Sequence, residues 1–152
     1  MQFTTLRMRQ RGVNLIELLV VVAIVAILSA VAYPSYVQQI VETKRTAGKN
    51  ILMQVADRQQ QFFMDNKTYA ADLTSLGFTA NPLLVGDDGR AVAAGDDASV
   101  YSVVLSNVAA TTFTATATPL HGQLDRDTEC GALVLNQSGA QTQGGSGTEC
   151  WN

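Results

Sequence analysis

The sequence predicts an α+β fold: a long N-terminal helix whose second half packs under a small antiparallel sheet of three to four strands. Three observations predict it. An apolar run of membrane length opens at Val13. Apolar residues then recur at spacings of three and four through Val37, Ile40, Val41, Ala47, Ile51, Val55, Phe62 and Phe63, one helical stripe in phase with that run. Beyond residue 100 the period changes to two, most clearly where Phe113, Ala115 and Ala117 alternate with Thr112, Thr114, Thr116 and Thr118.

The elements follow in order. Residues 1–12 form a basic stub that carries Arg7, Arg9 and Arg11 and ends at Gly12. Residues 13–36 are the first half of the helix. The apolar stretch 13–33 reaches about 31 Å at 1.5 Å per residue, enough to cross a hydrocarbon core. Its one carboxylate, Glu17, needs a partner, because a charge at bilayer depth costs at least a few kcal/mol. A cleaved secretory signal is the competing reading, since Ala30-Val31-Ala32 precedes Tyr33 in an A-x-A pattern. The length of the run, the acid inside it and the continuous helical phase beyond Tyr33 all speak against cleavage there.

Residues 37–152 are read as a globular head. The helix continues to about residue 66, with Gln38, Gln39, Glu42, Lys49, Gln54 and Gln60 on its polar face. Pro34 is expected to kink it, because proline removes one backbone donor and crowds the preceding turn. Gly48 is a second weak point. A connecting loop spans 67–99. Asn66-Lys67-Thr68 fits a glycosylation pattern but reads as a helix-ending turn. A short irregular piece anchored by Tyr69, Leu73, Leu76 and Phe78 comes next. Residues 79–98, with Gly86-Asp87-Asp88-Gly89 and Gly95-Asp96-Asp97, read as loop. The sheet occupies 100–143, with strands at 101–105, 112–118 and 131–137 and room for a short fourth at 140–143. In the third strand either Leu133 and Leu135 or Ala132 and Val134 point inward. Gly144-Gly145-Ser146-Gly147 reads as a flexible tip before Cys150 and Trp151.

Composition narrows the function. Lys and Arg total 10 against 13 Asp and Glu, for a net charge of -3. Three of those cations lie in the stub, so the rest is more acidic still and offers a poor electrostatic footprint for DNA; no nucleic acid is expected. Cys130 and Cys150 are the only cysteines. In an exported chain they read as one disulfide bounding a C-terminal region 130–150, two buried free thiols being the alternative. By chain entropy such a bond contributes about 3 kcal/mol. No nucleophile and base are spaced for catalysis, and the single His121 sits in a Pro/Gly segment, so no enzyme activity is expected. Asp87, Asp88, Asp96, Asp97, Asp125, Asp127 and Glu129 offer oxygen ligands of the kind calcium takes. Their spacing matches no EF-hand, and turn formation is the simpler account, so neither metal nor cofactor is expected.

Residues 12–28, GVNLIELLVVVAIVAIL, followed by AYPSY at 32–36, resemble the N-terminus of type IV pilins. The resemblance covers roughly residues 7–45. It implies a ladle-shaped pilin fold and a leader cut between Gly12 and Val13 by a membrane prepilin peptidase, which also N-methylates Val13. Val13 departs from the Phe or Met most often found there. Glu17 matches the family's assembly carboxylate. The segment after residue 66 is similar to that of pilins near the PilE minor-pilin group. The implied product is a structural subunit, a minor pilin, that sits as a single-pass protein in a bacterial inner membrane. Assembly machinery extracts it into an extracellular pilus used in twitching motility, adhesion or DNA uptake. Its partners are other pilin subunits, the peptidase/methyltransferase, the inner-membrane machinery and the membrane. A type II secretion pseudopilin shares the same motif and is one alternative; a DNA-binding competence pilin is the other. Elementary physics agrees: cleavage leaves a cationic amine on Val13, and a neighbour's Glu17 carboxylate neutralises it within an apolar bundle.

Overall fold

A computed structural model describes residues 14–152. Their elements are α1 (Leu15–Asn66), β1 (Leu83–Gly86), β2 (Ser99–Ser106), β3 (Thr114–Pro119), α2 (His121–Arg126), β4 (Leu133–Asn136) and β5 (Gln141–Gln143). The chain forms two compact units whose boundary falls between Gln38 and Gln39. Gly12 and Val13 lie outside the described residues.

In the first unit Asn14 opens α1: its Oδ1 accepts from the Ile16 amide at 3.4 Å and its carbonyl from the Leu18 amide at 3.1 Å. The apolar side chains from Leu15 to Tyr36 are exposed. Polar groups in this stretch are satisfied locally. Ser29 Oγ donates to the Val25 carbonyl at 2.7 Å and Ser35 Oγ to the Val31 carbonyl at 3.3 Å. Pro34 lies inside the helix.

In the second unit the sheet is an antiparallel meander in the order β1-β2-β3-β4-β5. Strand β2 pairs with β3 from Tyr101↔Pro119 to Ser106↔Thr114, and β3 with β4 from Thr114↔Asn136 to Ala117↔Leu133. The expected alternation holds in β3: Phe113, Ala115 and Ala117 are fully buried. Leu133 and Leu135, not Ala132 and Val134, take the inward positions of β4. Against this face packs the stripe Ile51, Leu52 and Val55 of α1, with Leu73, Leu83, Tyr101 and Val103 closing the core. Each such side chain contributes about 1.5–3 kcal/mol on burial. Phe63, Tyr69 and Phe113 form an aromatic row with centroids 4.8 Å apart at each step. The small Ala115 and Ala117 leave room for the larger side chains facing them.

Four sequence expectations are corrected. The sheet has five strands, because β1 forms inside the stretch 79–98 read as loop. Leu83 and Val85 of β1 bury against the core, and a run of only four residues is too short to show a period. Residues 87–92 then fold back beside β1: the Gly86 amide donates to the Arg90 carbonyl and the Val92 amide to the Leu84 carbonyl, both at 2.9 Å. The Pro/Gly segment around His121 is the helix α2. Gly48 is not a weak point but a contact: a Cβ there would lie 3.1 Å from the Tyr101 ring, so glycine is what lets the ring reach the helix backbone.

The fourth correction concerns 144–147. This stretch is a clamp, not a flexible tip. The amides of Gly144, Gly145 and Gly147 donate to the carbonyls of Ala132 (2.8 Å), Cys130 (3.0 Å) and Glu129 (2.7 Å). A side chain on Gly145 would collide with the Glu129 carbonyl, so the glycine serves close backbone approach. Gly145→Ala is therefore expected to cost about 2–3 kcal/mol, the usual penalty of overpacking. Gly122→Ala, whose Cβ meets nothing within 4 Å, should stay within about 0.5 kcal/mol of wild type. Denaturant unfolding of the two variants in detergent checks both.

Candidate functional site

Glu17 lies in the first turn of α1. There a carboxylate meets the positive end of the helix dipole. Around it Leu15, Ile16, Leu18, Leu19 and Val20 are all exposed, Leu15 at 75%. Among the described residues α1 is the one helix long and apolar enough to cross a membrane. The first half of α1 thus presents an unpartnered apolar surface with a single acid near its start.

What positions the other half is a polar cluster that the sequence reading missed. Asp127, at the end of α2, has a fully buried side chain. Its Oδ1 accepts from Arg45 Nη2 at 2.6 Å. Its Oδ2 accepts from Arg45 Nε at 3.1 Å, Gln123 Nε2 at 3.0 Å and the Tyr101 hydroxyl at 3.2 Å. Gln123 Nε2 also reaches the Val41 carbonyl and the Tyr101 oxygen, each at 3.2 Å. Four donor contacts from α1, β2 and α2 therefore converge on one carboxylate. The hydrogen bond with Asp127 holds the Arg45 guanidinium above its ordinary pKa. Burial pushes the Tyr101 phenol up in the same direction, so it stays a neutral donor.

A second buried amide works at the far end of the same helix face. Gln59 is fully buried. Its Nε2 donates to the Ala70 carbonyl and its Oε1 accepts from the Ala70 amide, both at 2.9 Å. This pair ties the chain leaving α1 back onto the helix. The turn itself is a left-handed Lys67 (φ 58°), whose amide donates to the Phe63 carbonyl at 2.9 Å.

The C-terminal region is held by the Cys130–Cys150 disulfide, which joins Cα atoms 5.5 Å apart. Trp151 packs against the core cluster, and its Nε1 donates to the Thr142 carbonyl at 3.0 Å, which ties it to strand β5. Lys49 Nζ donates to the Asn152 carbonyl at 2.7 Å, tying this region to α1.

Three of the acidic residues weighed as calcium ligands, Asp88, Asp96 and Asp127, have their carboxylates engaged within the fold. Asp88 Oδ1 accepts from the Arg90 amide and Asp96 Oδ1 from the Ala98 amide, both at 2.9 Å, as turn formers do. Asp127 belongs to Arg45. Among the described residues no three His, Cys, Asp or Glu side chains gather as a metal set. Ser99 Oγ and His121 Nε2 lie 3.3 Å apart. Ser99 is buried, so this contact ties α2 to the start of β2 instead of exposing a nucleophile. In the loop after α1, the hydroxyls and amide of Thr74 and Ser75 hold the Asp72 carboxyl below its ordinary pKa.

Comparison with known proteins follows the same division of the chain. Residues 34–134 match the family described as "Type IV minor pilin ComP, DNA uptake sequence receptor". Residues 7–33, which include Gly12, Val13 and Glu17, match the prokaryotic N-terminal methylation motif. The chain is 36% identical over 70 residues to the type IV major pilin protein PilA of Myxococcus xanthus (strain DK1622), covering 46% of this chain and 32% of that protein. It is 29% identical over 75 residues to the fimbrial protein EcpC of Eikenella corrodens, covering 49% of each. The matched stretches span between about a third and about half of these relatives' lengths.

Removing one member of a buried ion pair strands the other. Asp127→Asn should therefore destabilise the second unit by about 3 kcal/mol. Replacing both partners with apolar residues (Arg45→Met with Asp127→Leu) should cost less than the two single changes added together. A double-mutant cycle on unfolding free energies measures this.

Proposed function

The chain belongs to the type IV minor pilin family, and on that premise we propose that it is a structural, non-catalytic subunit of a type IV pilus. The observation that carries this reading is the division of α1. Its first half is apolar and exposed with one carboxylate, and its second half is fixed under a sheet. A helix built this way suits two apolar surroundings in turn, a bilayer and then a bundle of like helices. With it come other pilin subunits as partners.

The processing follows from the basic stub. A prepilin peptidase removes residues 1–12 on the cytoplasmic side, and Val13 becomes an N-methylated terminus. The subunit rests in the inner membrane through residues 13–36 until the assembly machinery extracts it. In the filament, the Glu17 carboxylate of one subunit pairs with the Val13 amine of a neighbour. That pairing neutralises two charges that would each be costly alone in an apolar core and sets the axial register. Pro34 is where the helix bends to fit the bundle.

Two further readings are weighed. A secretion pseudopilin shares the N-terminal motif, but the disulfide Cys130–Cys150 favours the pilus. The family description names a DNA uptake sequence receptor, and that observation favours a subunit whose pilus serves DNA uptake. Charge speaks against direct DNA binding: Asp and Glu outnumber Lys and Arg by 13 to 10, and Arg45 and Arg90 are each paired with an aspartate. A titration with duplex DNA at several salt concentrations separates these, because phosphate contacts make affinity fall steeply with salt.

The intact mass of the membrane-extracted protein should place its N-terminus at Val13. A terminus at Tyr33 would mean secretory cleavage and the loss of the anchor. Glu17→Ala should leave the protein stably inserted, since removing a charge eases insertion. The same change should deplete it from sheared pili. Comparing the membrane and pilus fractions of wild type and variant reads both effects. Unchanged incorporation into pili would refute the pairing proposed for Glu17.

A further inference from the structure

Between Glu17 and Glu42 the chain has no charged residue, and among the described residues of the first unit the only aromatic side chains are Tyr33 and Tyr36. Both are exposed, at 72% and 66%, and their spacing of three puts them on one side of the helix. A tyrosine has an apolar ring and a polar tip, the combination that a bilayer's headgroup boundary accommodates. Pro34 lies between the two. It has no amide hydrogen, so the Ala30 carbonyl lacks its usual helical donor. Such a carbonyl is costly in hydrocarbon and tolerated where water reaches it. At 1.5 Å of rise per residue, Tyr33 stands about 24 Å and Tyr36 about 29 Å from Glu17 along the axis, against about 30 Å of hydrocarbon core. The carboxylate and the tyrosine pair therefore fall near opposite faces of a bilayer.

Resting on the reading that residues 13–36 sit in a bilayer before assembly, we propose that Tyr33 and Tyr36 are the lipid anchor of this helix. Their rings lodge in the phospholipid headgroup layer opposite the basic stub and hold Glu17 at the other boundary of the hydrocarbon core, in contact with water. Arg7, Arg9 and Arg11 lie at the stub's end and favour the cytoplasmic side, so orientation and depth are set by different residues. The stretch from Leu18 to Ala32 spans only about 22 Å, less than the core, so an end that is not held can sink into it. Apolar residues at 33 and 36 would extend the run to Val37, let that end sink and push Glu17 out into water on the stub's side. The tyrosines resist this because an aromatic ring with a polar tip has its lowest free energy at the boundary. Glu17 then meets an apolar surrounding only when the subunit leaves the bilayer for the bundle.

The test reconstitutes the full-length protein in vesicles of phosphatidylethanolamine and phosphatidylglycerol and reads depth from a nitroxide on single introduced cysteines. Cys130 and Cys150 are bonded to each other, so the introduced thiol is the one labelled. Collisions with oxygen report lipid, and collisions with a water-soluble nickel chelate report water. With the tyrosine pair intact, oxygen should dominate at Ile27→Cys and at Leu19→Cys, and nickel at Ser35→Cys. Tyr33→Leu with Tyr36→Leu should give the label at 19 nickel access and take it from the label at 35, a shift of about one helical turn, about 5 Å. Tyr33→Trp with Tyr36→Trp should leave both labels where they were, since tryptophan seeks the same layer. No shift with the leucine pair, an equal shift with the tryptophan pair, or a label at 35 buried in lipid beside intact tyrosines would each overturn the anchor and leave the spanning segment standing. Water access at Ile27→Cys would refute the spanning segment itself, and the anchor with it.

Discussion

The interaction on which the head depends is the buried carboxylate of Asp127. It collects donors from Arg45 on α1, Tyr101 on β2 and Gln123 on α2, and leaves neither oxygen without a partner. Taking these charges out of water is costly, so the cluster is weak as a source of net stability. Its value is specificity. A shift of α1 by one turn, about 5.4 Å, would strand Asp127 among apolar groups with no donor in reach. Hydrophobic contacts alone tolerate such sliding more readily, because they carry little direction. Gly48 completes the arrangement by letting the Tyr101 ring lie on the helix backbone.

The two ends of α1's buried face are treated alike. Arg45 marks one end and Gln59 the other, and each reaches across to a different segment of chain. Between them Leu52 and Val55 are fully buried. The helix is therefore pinned at both ends by directional bonds and filled in the middle by packing. That division suits a helix whose first half is exposed and apolar.

An open strand edge templates pairing with another chain. Here both edges are met by other parts of the same chain. Residues 87–92 return alongside β1, and Trp151 donates to the Thr142 carbonyl of β5. The disulfide and the glycine clamp at 144–147 hold that C-terminal segment in place.

The sequence by itself determined the elements with strong periods. The 52-residue helix, its exposed first half, the β3 alternation and the Cys130–Cys150 pair were all legible, because each is a local pattern or a matter of counting. The family was legible from the methylation motif for the same reason. The network was not read, although a trace of it was present. Val41, Arg45, Gly48, Leu52, Val55 and Gln59 follow one another at helical spacing, so Arg45 and Gln59 stand in phase with a buried stripe and require partners. Which partners they take, Asp127 and Ala70, lies far away in sequence or in irregular backbone, and no spacing rule names them. Strand β1 and the glycine clamp escaped similarly: four residues carry no period, and a Gly-rich run looks the same whether it is loose or pressed against the carbonyls of another segment. Only the tertiary structure decided these, because burial and close backbone approach are properties of what packs against a segment and are not encoded within it.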